Sequence, residues 1–173
     1  MSDSTCLLGH DGWADGTLGR YWDSPAVMSD WLDIDDFRMQ FRGRDIMDDE
    51  VMLERIELMK TLARKAAEHI ARLLPEATAK YRHVIVATHV PPFEELVRKA
   101  CSGPIEDLLP LYANHVVGEV LRTHMAEHPD VLMTVLCGHT HNAHEEIVLP
   151  NLRAVSGAAE YGAPVIQRVL DLE

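Results

Sequence analysis

No apolar run in the 173-residue sequence approaches membrane-spanning length, which argues against a transmembrane helix. Cysteine is scarce. Cys6, Cys101 and Cys137 are an odd number with no Cys-x-x-Cys spacing, which argues against a disulfide framework or a cysteine-rich zinc site. Cys6 and Cys137 lie in apolar stretches and read as buried thiols. Positive charge is also in short supply. Sixteen Lys and Arg face 28 Asp and Glu, for a formal net charge of −12, and no basic stretch offsets it. Nucleic acid and anionic membranes would be repelled over much of such a surface. A small anionic substrate stays possible where a metal ion supplies local positive charge. The polar start, Met1 to Thr5, carries no signal-peptide pattern, so the expected location is cytoplasmic. Repeats and low-complexity linkers are absent. With 47% hydrophobic and 25% charged residues, the chain reads as one globular domain over residues 1–173.

What the sequence does have is histidine, ten in all, together with a clear order of elements. Thr5 to Leu8 reads as a short strand entering the glycine-rich loop His10 to Arg20. Residues 21–47 read as short helical turns and loop. Asp48 and Asp49 offer an N-cap to a long helix whose apolar stripe is Met52, Ile56, Met59, Ala63, Ala66, Ile70 and Leu73, with Pro75 ending it. His83 to Thr88 is a buried strand, residues 93–105 read as irregular, and a second helix is expected over Leu111 to Glu127. Val116, Val120, Leu121 and Met125 would face inward on that helix. Val131 to Cys137 is another buried strand, followed by three short strands: EEIVLP, LRAVS and PVIQRVLDL. This order predicts an α/β sheet continuing into a small antiparallel section.

Two of the predicted strands deliver histidine-bearing loops, Thr88-His89-Val90-Pro91-Pro92 and Gly138-His139-Thr140-His141. Ligand sites in open α/β sheets collect beyond the carboxyl ends of strands, so neighbouring strands would bring His89 toward His139 and His141. Imidazole nitrogens suit zinc, iron and other transition metals, and Gly138 lets the backbone turn tightly beside an ion. His139-Thr140-His141-Asn142-Ala143-His144 also echoes the HxHxDH block of metallo-β-lactamase-fold hydrolases, although Ala143 stands where that block needs an aspartate.

The segments VIVATHVPPF and VLCGHTH resemble the fourth and fifth signature blocks of calcineurin-like metallophosphoesterases. LLGHDGWAD and NLRAVSGAAEYGAPVIQRVLDL resemble further segments of a bacterial branch, so the likeness spans about Leu7 to Leu172. It implies an α/β/β/α sandwich of mixed sheets flanked by helices, here shortened to its C-terminal portion. It also implies hydrolysis of a small phosphoester by a metal-activated water, using a divalent transition metal such as Zn, Mn or Fe. By that likeness His89 and His139 would bind one ion and His141 another. His10 and Asp11, in a loop beside the site, would serve as extra ligand, proton-transfer group or supporting partner. Asp15 and Glu160 are weaker candidates.

The family's opening blocks, Asp-x-His, Gly-Asp-x-x-Asp and Gly-Asn-His-Asp/Glu, do not occur. Ala113-Asn114-His115-Val116 echoes the third only superficially, inside a helical pattern. Without the bridging aspartate the resemblance implies one ion rather than two. It also implies exposed sheet faces and edges, and hence a homodimer. The alternative reading is an inactive metal-binding fragment, or a subunit that needs an N-terminal partner.

Overall fold

The structure, a computed structural model, describes residues 3–171. The elements in chain order are β1 (Thr5–His10), α1 (Asp30–Asp33), α2 (Asp35–Phe41), α3 (Asp49–Lys80), β2 (His83–Thr88), α4 (Glu94–Ala100), α5 (Ile105–Tyr112), α6 (His115–Ala126), β3 (Leu132–Cys137), β4 (His144–Leu149) and β5 (Leu152–Ser156). They form a mixed α/β structure around one five-stranded sheet of order β1-β2-β3-β5-β4. The first four strands in that order are parallel, and β4 closes the sheet as an antiparallel edge. Among the described residues no helix is long and apolar enough to cross a membrane.

The order β1-β2-β3 advances in one direction, and parallel crossovers are right-handed, so successive crossovers fall on the same side of the sheet. α3, α4 and α6 accordingly share one face. Cys6, Val84, Val86, Met133, Val135 and Ala154 of the strands pack with Ala66, Ile70 and Leu74 of α3, with Leu96 of α4 and with Leu121 of α6. A second cluster lies against the other half of α3 and is built on Trp13, Trp31, Phe37, Met52, Met59 and Leu111. It secures the long β1–α3 connection beside the carboxyl ends of the strands.

The α3 helix starts as expected, with the Asp48 carboxylate accepting from the backbone N–H groups of Glu50 and Val51. It does not stop at Pro75 but continues to Lys80. Proline removes one helical hydrogen bond. Burial of Leu74 and Ala77 against the sheet offsets that loss and holds the last turns in place. The buried stripe also turns by one position, so Leu74 rather than Leu73 faces the core.

Residues 93–105, expected to be irregular, are so only at 93 and over 101–104. Leu96 and Val97 are fully buried and draw Glu94–Ala100 into a helix, which carries acids in its first turn and bases in its last. The single helix expected over Leu111 to Glu127 is two helices broken at Ala113 and Asn114. Asn114 donates its N–H to the Pro91 carbonyl, and its side chain caps α6 through the Val117 N–H. Val117, Leu121 and Met125 are the buried residues of α6, with Val116 and Val120 half-buried. The third terminal strand does not form: residues 157–171 carry no strand, and most of the segment from 159 on is exposed. β5 already pairs with both β3 and β4, and the segment does not add to the outer edge of β4; Leu172 of that segment lies outside the described residues.

Candidate metal centre

β2 and β3 are parallel neighbours in register from His83↔Leu132 to Ala87↔Leu136, so the loops that follow them emerge side by side. The Gly138 N–H donates to the His89 carbonyl at 3.0 Å and ties the loops together. His139 and His141 both adopt left-handed backbone conformations, φ 64° and 57°. For a residue with a Cβ this conformation costs on the order of 1 kcal/mol, a kind of strain that gathers at functional sites. Asn142 pins the turn by donating from Nδ2 to the Thr140 carbonyl, and Thr140 Oγ1 meets Ser156 Oγ at 3.2 Å.

The result is a group of three ligand atoms, from Asp30, His89 and His139, all within 4.8 Å of one another. His139 Nδ1 lies 3.2 Å from His89 Nε2, and its other nitrogen, Nε2, lies 3.0 Å from the Leu111 carbonyl. A carbonyl only accepts, so Nε2 carries the proton and Nδ1 presents its lone pair. This is the arrangement that orients a metal-binding imidazole. Two nitrogens each about 2.0–2.1 Å from a zinc ion stand roughly 3 Å apart, so the observed separation fits a shared ion.

His139 is only 9% exposed. Burial, reinforced by His89, pulls its pKa down to about 4, against smaller upward contributions from the Leu111 hydrogen bond and Asp30. The ring is therefore neutral near pH 7, the form that ligates. Edge-on contacts from Trp13 at 5.1 Å and Tyr112 at 5.2 Å fix its plane. The donor set of two imidazoles and one carboxylate suits zinc, iron or manganese.

The group opens into a cleft of about 420 Å³, whose lining includes Asp33, His141 and Tyr161. His141 is thus in the same cleft as His89 and His139, but outside the three-ligand group. Its ring instead meets Tyr161 edge-on at 4.8 Å. His10 and Asp11 lie on the other side of His89, in a separate cavity of about 170 Å³ that also holds Asp36 and Lys65. Their side chains are paired, with Nδ1 2.9 Å from Oδ1, and the Gly12 N–H points at both atoms. A neutral His10 accepts from Gly12 at Nδ1; a protonated one donates to Asp11.

Two of the weaker candidates have other surroundings. Asp15 is fully buried and accepts from the Thr17 and Val116 N–H groups and the Thr17 hydroxyl, a structural clamp between the loop and α6. Glu160 is exposed. His144 begins β4, 3.5 Å from Glu146, and takes no part in the three-ligand group.

Sequence reasoning missed Asp30, Trp13 and Tyr112. Asp30 stands among Asp33, Asp35 and Asp36, a run that reads as ordinary acid at helix starts. Only the packing of Trp31 and Phe37 into the second core brings it over the strand ends. Comparison with known protein families, characterised proteins and solved structures finds no match for this chain.

Proposed function

We propose that this chain is a metal-dependent phosphoester hydrolase acting on small phosphodiesters. It would be a shortened relative of the calcineurin-like metallophosphoesterases, whose two-sheet sandwich it would represent in part. The observation that carries the reading is the Asp30, His89 and His139 group at the ends of β2 and β3. Two of these three residues are the histidines that the resemblance assigns to one ion.

A divalent ion held there would supply an acidified water and positive charge for the developing phosphorane oxygens. The protein's own part is positional. His139 stays neutral and fixed by Leu111, His89 shares its position from the adjacent loop, and Asp30 brings negative charge. His141, which lines the same cleft, would be the group available to phosphoryl oxygens. The His10–Asp11 pair, behind His89, is the group available to hold or pass a proton. An overall charge of −12 makes a bound cation the natural source of attraction for an anionic substrate.

A second reading, metal binding without hydrolysis, draws on the single three-ligand group among the described residues, which suits one ion rather than two. Elemental analysis of the purified chain and of His139→Ala, with hydrolysis of an activated aryl phosphodiester, separates the readings. Metal and turnover lost together in the variant support the hydrolase. Metal bound with no turnover supports the second reading, and no metal uptake after reconstitution overturns both.

A further inference from the structure

Parallel sheets are normally covered on both faces, because their side chains are apolar on both. Here the one-directional strand order puts α3, α4 and α6 on a single face. The opposite face carries a row that crosses the whole sheet: Leu7, Ile85, Thr134, Arg153 and Ile147, each in register with the next. Its centre is already covered, with Ile85 and Thr134 buried beneath the His83 and Arg153 side chains, but its ends are open: Leu7 is 51%, Leu132 58% and Ile147 63% exposed. β1 adds an unguarded edge, with no Lys, Pro or bulge to deter pairing.

The same chain holds a second unpartnered apolar surface. Residues 164–170, Pro-Val-Ile-Gln-Arg-Val-Leu, have a strand-forming composition but no strand partner. Val165, Ile166 and Val169 are 70%, 85% and 77% exposed. The segment is moored at the margin of that face, where Arg168 lies 3.4 Å from Glu145, the same carboxylate that Arg153 approaches at 3.6 Å. On a chain of net charge −12, two copies would repel through most of their surface. This face carries little of that charge: Arg153 and Arg168 both pair with Glu145, and Thr134 ties Arg153 to His83 through its hydroxyl, so it adds little to the repulsion.

We propose that two copies of this chain associate through the helix-free face of the sheet, with residues 164–170 of each lying over the face of the other. Donor segment and acceptor face reside on one chain, so a two-fold arrangement satisfies both at once and closes the assembly. The proposal is independent of the hydrolase reading.

Analytical ultracentrifugation of the full chain over a range of concentrations tests it. The expected species has twice the 19.4 kDa chain mass. The double variant Leu7→Lys, Ile147→Lys alters only positions more than half exposed, so its fold, checked by circular dichroism, should persist. Its dimer dissociation constant should rise about 100-fold. Removal of residues 164–173 should raise it by about 10-fold or more. A wild-type chain that stays monomeric at high micromolar concentration overturns the proposal, including the case where another protein takes the face. A folded double variant that dimerises as tightly as wild type, or a dimer indifferent to loss of the segment, overturns it as well.

Discussion

Replacing Asp30 by Asn tests the ligand set where structure and resemblance differ. The change keeps shape and removes charge. No hydrogen bond or ion pair to the Asp30 carboxylate occurs among the described residues, so the metal-free variant should unfold close to wild type. Losing a carboxylate from a three-donor site should weaken zinc binding by about 100-fold, or about 2.7 kcal/mol. With free zinc held at about 100 times the wild-type Kd, bound metal stabilises the wild type by about 2.7 kcal/mol. The variant, then near its own Kd, gains only about 0.4 kcal/mol. For a chain of this size the gap corresponds to roughly 5–9 °C in the metal-induced rise of Tm. Differential scanning fluorimetry with and without zinc reads it directly. His141→Ala is the control and should retain most of the wild-type rise, because His141 lies outside the three-ligand group. The opposite pattern, a full rise in Asp30→Asn and none in His141→Ala, would refute the ligand assignment made from the geometry.

Gly118→Ala should destabilise the fold by about 1–3 kcal/mol in urea denaturation and weaken metal binding, because a Cβ there would lie 2.0 Å from the Pro92 carbonyl oxygen and push on the loop that carries His89; an unchanged denaturation midpoint would contradict the observed closeness of α6 and that loop. Cys137 should resist alkylation in the folded protein at pH 9. Cys137 is half-buried rather than fully buried as its apolar run suggests, yet desolvation still pushes its thiol from 9.0 up to about 12, and its S–H points at the Val155 carbonyl. The sign follows from the raised folded value: this contribution to stability is intact below pH 9 and declines as pH rises toward 12, since the unfolded chain gives up the proton first. Mass spectrometry after iodoacetamide treatment should find Cys137 labelled far faster when urea is present, and equally rapid labelling without urea would contradict the raised thiol.

The strands were the most legible part of the chain. His83 to Thr88 and the run ending at Cys137 are short, β-branched and apolar, and both stand where that pattern puts them. The α3 helix was legible at its start, where Asp48 caps it, and along its stripe as far as Ile70. Its end was not, because Pro75 carries a local penalty that distant packing outweighs. α4 failed for the converse reason: seven residues carry little helical signal of their own, and their burial under the sheet supplies the stability. The break at Asn114 depends on Pro91 and Asp15, which no local pattern connects to it.

His89 and His139 could be nominated from sequence because each follows a strand, and neighbouring parallel strands end together. The local pattern also named two residue types able to ligate a metal ion. Tertiary structure alone decided that Asp30 joins them, that Leu111 sets the tautomer of His139, and that His10 and Asp11 fall on the far side of His89. Strand and helix signals are local free energies, readable over a few residues. Asp30, His89 and His139 stand 50 and more positions apart along the chain, and only the packed core brings their ligand atoms within 4.8 Å of one another.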